Sequence, residues 1–134
     1  MKRTALRAHA RSAGCAVHLV LILGNTVAVA QAYPVKPIRV ILPFAPGGPT
    51  DLLGRVVGQK MTETWGQSVV VESRTGANGI VASEFVARSA PDGYTLLIGT
   101  NGTHGINASL FPKLPYDTVA DFVPVGRIGQ QPRL

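Results

Sequence analysis

The sequence is poor in the residues that most often carry chemistry. Among 134 residues there is one cysteine, Cys15, and there are three histidines, His9, His18 and His104. The first eleven positions hold Lys2, Arg3, Arg7 and Arg11 without a single acid. An apolar run follows from Ala13 to Leu23, and small residues alternate through "GNTVAVAQA". A basic start, an apolar run and small residues at alternate positions are the three parts of a secretory signal peptide. Ala30 and Ala32 place the expected cut after Ala32, with Ala28 and Ala30 as the second choice. The rival reading is an uncleaved membrane anchor, because residues 13–30 approach the minimum spanning length, although Gly24 and Asn25 interrupt them. Acylation at Cys15 is excluded, since that residue stands at the front of the apolar run. Without residues 1–32 the chain keeps no cysteine and only His104. Disulfides, a cysteine nucleophile and a Cys- or His-rich metal site are thereby excluded. Four of the 13 Lys and Arg leave with the signal, so nine face seven acids, a net charge of +2. The basic balance of the whole chain therefore does not point to nucleic acid as a partner.

What remains alternates regularly. "IRVILP" (38–43) is a continuous apolar run, the pattern of a strand buried on both faces. From Thr50 to Trp65, Leu53, Val57, Met61 and Trp65 recur every four residues, and Leu52 and Val56 widen the stripe. This predicts a helix that buries that stripe, capped by Thr50 or Asp51 and ended by Gly66. "SVVVE" (68–72) reads as a second strand, and "SRTGANG" (73–79) as a loop into a helix over 80–89. There Val81, Ala82, Phe85 and Val86 are expected to face inward, and Glu84 and Arg88 to pair across one turn. "PDG" (91–93) is a turn, and "YTLLIGT" (94–100) a third strand. Beyond it stand a polar loop, "TNGTHGIN" (100–107), an extended arm, a helical turn from Asp117 and a fourth strand near 123–128. Strand, helix, strand, helix, strand implies an α/β fold with parallel strands and right-handed crossovers. Ligands of such sheets bind at the carboxyl ends of the strands.

Three loops leave that edge, and "FAPGGPTD" (44–51) is the most unusual. It is not a Walker loop, because no lysine follows Gly48. A dinucleotide fingerprint fits poorly: Glu72 stands at the end of the second strand, but the glycines fall at 47, 48 and 54 and Pro49 removes an amide. Gly47 and Gly48 allow close approach to the backbone, and the helix that follows offers unpaired amides to an anion. A small carboxylate suits such a site, although the charge of Asp51 opposes it. Neither glycine-bearing loop at 44–51 or 100–107 holds Lys or Arg, so amides, hydroxyls and water would do the holding. An enzyme would pair Asp51 or Glu72 with His104 and use Thr50 or Thr103 as nucleophile. With no nucleophile elbow and no paired carboxylates, no catalytic residue, metal or cofactor is expected.

Taken together, "YPVKPIRVILPFAPGGPTD", "VVVESRTGANG", "APDGYTLLIGTNGTHGIN" and "LPYDTVADFVPV" resemble the Bug-type receptors, extracytoplasmic solute-binding proteins of tripartite tricarboxylate transporters. The resemblance runs from about Tyr33 to Pro132. It implies a three-layer, doubly wound, mostly parallel sheet, part of the first domain of a type II periplasmic-binding-protein fold. It further implies a periplasmic receptor that captures a small di- or tricarboxylate, or a related solute, and presents it to membrane permease subunits. Carried over by motif, the ligand contacts fall on Phe44, Pro46, Gly47, Gly48, Thr50 and Asp51, and on Thr100, Asn101, Gly102 and Thr103. His104 matches a further polar position. Pro49 stands where many relatives have glycine. Family members run to well over twice this length, so residues 33–134 read as a partial first domain without its second. Such a chain is expected to hold a solute weakly or not at all alone, and to expose an apolar edge. A truncated remnant without function, a secreted enzyme and a nucleotide-binding domain are the alternative readings.

Overall fold

The computed structural model describes residues 32–130. The expected signal segment, Ala32 apart, lies outside the described residues, as do residues 131–134. The elements run β1 (Ile38–Leu42), α1 (Pro49–Trp65), β2 (Val69–Ser73), a 3₁₀ turn (Ala77–Gly79), α2 (Ile80–Ala87) and β3 (Thr95–Leu97). A π-helical turn (Gly102–Ile106) then leads into α3 (Asn107–Leu110). The three strands form one parallel sheet in the order β2-β1-β3. Val40 is in register with Val71 on one side and with Leu96 on the other. The first three expected strands and both expected helices are therefore present, although β3 is shorter than the run 94–100.

β1 lies in the middle, and its side chains alternate between two helices because a strand has a period of two. Ile38, Val40 and Leu42 point to one face, where Met61 of α1 packs with Val69, Val71, Tyr94, Leu96 and Ile98. Arg39 points to the other, 5.1 Å from the ring centre of Phe85 on α2. Helix, sheet and helix thus make three layers, with β1 covered on both sides; Ile38, Ile41 and Leu42 are fully buried.

The face that α1 turns to the sheet differs from the expected one. Its buried residues are Asp51, Gly54 and Gly58. Leu52, Leu53, Val56 and Trp65 are exposed, and Val57 and Met61 are half-buried. The reason is distance: a Cβ on Gly54 would lie 2.7 Å from Leu42 Cδ2, and one on Gly58 3.0 Å from Val71 Cγ2. Two glycines four apart let the helix backbone settle on the strands, and the leucine stripe turns away from that contact. Gly66 ends the helix as expected, with φ +67 and its N–H donating to Thr62 O at 2.9 Å.

Three more expectations are corrected. Val81 is exposed, because α2 buries Ala82 and Ser83 instead; the Ser83 hydroxyl donates to Gly79 O at 3.0 Å. Within the expected loop 100–107, residues 102–107 are helical, and the helix runs on to Leu110. No strand forms at 123–128, where Val123 and Val125 are almost fully exposed, because no neighbouring strand among the described residues takes up their backbone groups. The turn at Asp117 and the Glu84–Arg88 pair, 2.7 Å apart, are as expected. At the amino end of the sheet the Tyr33 hydroxyl donates to Gly93 O at 2.7 Å, and its ring packs on Tyr94 and Trp65.

Substitution should rank these positions against their hydrophobicity. Gly54→Val forces a branched side chain into Leu42 and should cost about 1–3 kcal/mol. Leu52→Ala, at a largely exposed site, should stay within about 0.5 kcal/mol. Urea unfolding of both variants beside the parent chain checks the order.

Candidate functional site

β1 delivers the chain to residues 43–48, where the backbone must reverse into α1. Pro43 is fully buried and Phe44 half-buried, whereas Ala45, Pro46 and Gly47 face solvent. Gly47 takes φ +86, a left-handed conformation that glycine adopts without strain. Gly48 is the cap residue, and no side chain caps the helix, so the expected caps Thr50 and Asp51 lie inside the first turn. Pro49 opens the helix at a position whose N–H would have no partner in any case, which accounts for its tolerance there. Leu52 N–H makes the first intrahelical bond, to Gly48 O at 3.1 Å. The amides of Thr50 and Asp51 precede it, and the helix dipole adds partial positive charge at this end.

Asp51 is buried beneath the turn, 6 % exposed. Its Oδ2 accepts from the Gly47 N–H and from Arg55 Nε, each at 3.0 Å. The Arg55 hydrogen bond, helped by the Gly47 amide, holds the carboxyl below the usual range and keeps it ionised. The other oxygen, Oδ1, is buried and has no hydrogen-bond partner among the described residues. The carboxylate thus reaches past the cap residue to fix the glycine turn, and Arg55 offsets its charge.

The segment after β3 is folded by its own polar groups. Thr103 is fully buried. Its hydroxyl accepts from Thr100 N–H at 2.9 Å and lies 3.0 Å from Thr100 O and 2.8 Å from His104 Nδ1. Asn107, also fully buried, accepts from Asn78 Nδ2 at 2.7 Å and donates to Asn78 O at 3.2 Å. The Tyr116 hydroxyl donates to Thr103 O at 2.7 Å and accepts from Asn107 Nδ2 at 3.4 Å. His104 packs edge-on against Phe122, 4.7 Å between ring centres, and burial lowers its pKa, which favours the neutral ring.

The loop after β2 is drawn into the same place. A Cβ on Gly79 would lie 2.6 Å from Thr103 Cγ2 and 2.8 Å from Pro43 Cβ. The end of β1, the loop 73–79 and the segment 100–107 therefore meet. Phe44 to Asp51 leave the same edge from β1. Of the expected contact residues, Pro46, Gly47 and Asn101 are exposed. Phe44, Gly48, Thr50, Thr100, Gly102 and His104 are half-buried, and Asp51 and Thr103 are closed off. Arg55, Asn78 and Tyr116 were not among the expected residues. Arg55 stands four positions after Asp51 on a helix, a readable pairing signal. Asn78, at φ +52 between glycines, is a residue type suited to that conformation. Nothing in the sequence marks Tyr116. Among the described residues no group of three His, Cys, Asp or Glu could hold a metal ion.

An open turn of amides stands at the carboxyl edge of a parallel α/β sheet, with a helix N-terminus behind it, a geometry that suits anions. Comparison with known proteins gives the family. The family model described as "Tripartite tricarboxylate transporter family receptor" matches residues 53–134, more than half of the chain. The chain belongs to this family of receptors. Protein BugT of Bordetella pertussis is 42% identical over 104 residues, which cover 77% of this chain and 32% of BugT. MatC from Rhodopseudomonas palustris, solved with bound malate, is 47% identical with a TM-score of 0.66, over 69% of this chain and 32% of MatC. A second R. palustris protein, solved with adipate, is 37% identical with a TM-score of 0.62, over 64% of this chain and 29% of its own. The chain spans about a third of the length of these relatives. The likeness also bears out the expected periplasmic-binding-protein architecture.

Two outcomes follow from this geometry. Thr103→Val keeps the shape but removes the hydroxyl, leaving the Thr100 N–H and His104 Nδ1 without that partner; thermal unfolding should show a loss of about 1–3 kcal/mol. Asp51, Glu72, Asp92 and Asp117 all sit below their ordinary pKa, held by Arg55, Arg39, Lys36 and the Ala120 amide respectively as the largest cause. Their contribution is complete above the unfolded-state pKa of about 4 and fades as pH falls through the lower folded values. Asp51→Asn should make the decline in stability below about pH 5 shallower, as read by denaturant unfolding across pH.

Proposed function

We propose that this chain forms one side of the cleft in which a periplasmic receptor holds a small carboxylated solute, a di- or tricarboxylate or a related acid. Residues 33–134 are read as part of the first of two domains, exported by the segment before Tyr33. The receptor hands its solute to the membrane permease subunits of a tripartite tricarboxylate-type transporter. Membership of the receptor family and the malate and adipate held by two relatives support the solute class.

The observation that carries the reading is the Gly47–Gly48 turn at the sheet edge before the first amides of α1, where a Cβ on Gly47 would meet nothing within 4 Å and one on Gly48 only Ala45 O. A carboxylate there takes the Thr50 and Asp51 amides and the positive end of the helix. Pro46 and Phe44 flank it. Thr100, Asn101, Gly102 and His104 border it from the adjacent strand, while the closed-off Thr103 fixes their backbone. No group in this arrangement needs to exchange a proton or attack a bond, in keeping with capture rather than catalysis.

Amide NMR on the ¹⁵N-labelled chain tests this. Succinate should shift the Gly47, Gly48, Thr50 and Asp51 resonances saturably in the millimolar range, and 1,4-butanediol should not. Gly48→Ala has room for its methyl, whose nearest neighbour would be Ala45 O at 3.6 Å, so the fold should persist while the succinate response weakens several-fold. Equal responses to the diol and the diacid would refute the reading.

A further inference from the structure

Residues 116–122 close on themselves and on the segment after β3 at the same time. Asp117 Oδ1 accepts from the Val119 and Ala120 amides, each at 2.8 Å, and Asp117 N–H donates to Asp121 Oδ2 at 2.7 Å. The two carboxylates thus fold the turn by tying its own amides. An aromatic residue stands at each end. Tyr116, buried, donates its hydroxyl to Thr103 O at 2.7 Å. Phe122 meets His104 edge to face, 4.7 Å between ring centres, and Tyr116 likewise at 5.8 Å.

The His104 ring is pinned between near and distant parts of the chain. Its Nδ1 lies 2.8 Å from the Thr103 hydroxyl, and a Cβ on Gly99 would stand 2.9 Å from its Cε1. Those neighbours lie beside it in sequence, whereas Phe122 comes from beyond α3. Past Phe122 the packing ends, for Val123 and Val125 are 87% and 85% exposed. A self-tied turn moves as a unit, so a shift of it carries Tyr116 and Phe122 together. The buried network around Thr103 has few other arrangements, and the segment must follow.

We propose, on the reading of residues 100–104 as one border of the solute site, that Phe122 is a positioning residue. Through His104 it sets that border, and it links the border to the turn 117–121. It acts through the imidazole and needs no contact with the solute itself. Capture of a carboxylate therefore shifts the turn, and displacement of the turn alters capture, because coupling between two places is reciprocal.

The test titrates the full ¹⁵N-labelled chain with succinate. In the parent chain the Val119, Ala120 and Val123 amides should respond with the same dissociation constant as Gly47 and Gly48. In Phe122→Ala, with folding checked by its melting curve, the Val119 and Ala120 responses should vanish. Succinate should then bind roughly three- to tenfold more weakly, with the Gly47 and Gly48 responses retained. Phe122→Tyr keeps the ring and should behave as the parent does. If Phe122→Ala does not fold, Phe122→Leu, which keeps apolar bulk without a ring, takes its place with the same expected losses. Silent Val119 and Ala120 amides in the parent overturn the role of Phe122 and leave the carboxylate cradle standing. So does a ringless variant that melts lower but binds succinate as tightly as before. No response at Gly47 or Gly48 in the parent overturns both.

Discussion

At Gly54 and Gly58, α1 rests on the sheet with backbone where other helices place side chains. That close approach sets how far the first turn of α1 stands from the end of β1. Only residues 43–48 connect the two elements, so the connection is short and must reverse sharply. The turn at Gly47 and the burial of Asp51 follow from it. A side chain at position 54 would push against Leu42, which is fully buried and lies in the central strand. The helix would then lift, and the first amides with it. The shape of the site thus depends on two missing side chains on the far side of the turn.

The second half of the edge is built on a different principle. After β2 the chain crosses to the other face of the sheet and returns beside β1, giving the order β2-β1-β3. The crossing brings Gly79 against Pro43 and Thr103, a place with no room for a side chain. Burial of polar groups then does the holding. Asn107, Asn78, Tyr116 and Thr103 satisfy one another in a network that shapes the backbone of residues 100–107. A polar network in a closed space has few alternative arrangements, since each lost bond leaves a costly unpaired group. The exposed groups of Thr100 to His104 are fixed in direction by the buried Thr103, Asn107 and Tyr116.

Much of this was legible. The continuous run over 38–43 announced a strand buried on both faces, and the alternation of elements announced the parallel order. The glycine turn was legible as well, because Gly, Pro, Thr and Asp at that junction have few structural uses. The orientation of α1 was not, since a hydrophobic stripe at helical spacing looks like a buried face. Glycines carry no hydropathy signal, although two of them four apart mark a helix that can be approached closely. The segment 100–107 read as a loop because Asn, Thr and Gly favour turns; the buried bonds of Asn107 and Tyr116 outweigh that preference, and they link residues far apart in sequence. The valines of 123–128 have strand composition, but a strand is a pairing, and composition does not supply the partner. The role of Asp51 was legible only in part: the spacing to Arg55 announced the ion pair, but not the Gly47 amide that Asp51 also holds.

The electrostatics of the turn bear on how a receptor releases what it holds. Arg55 stands one helical turn beyond Asp51, and its guanidinium is engaged by that carboxylate. A carboxylate at the α1 amides would therefore meet dipoles and no free salt-bridge partner. Such contacts are directional and depend on the turn keeping its shape, whereas a salt bridge tolerates displacement. Affinity of this kind is high only while every donor is aligned and water is excluded, because a desolvated amide is a far better donor than a hydrated one. Movement of the turn, or entry of water on opening, removes both conditions together. On the proposed reading, a site made of amides would hold a solute when enclosed and give it up when opened.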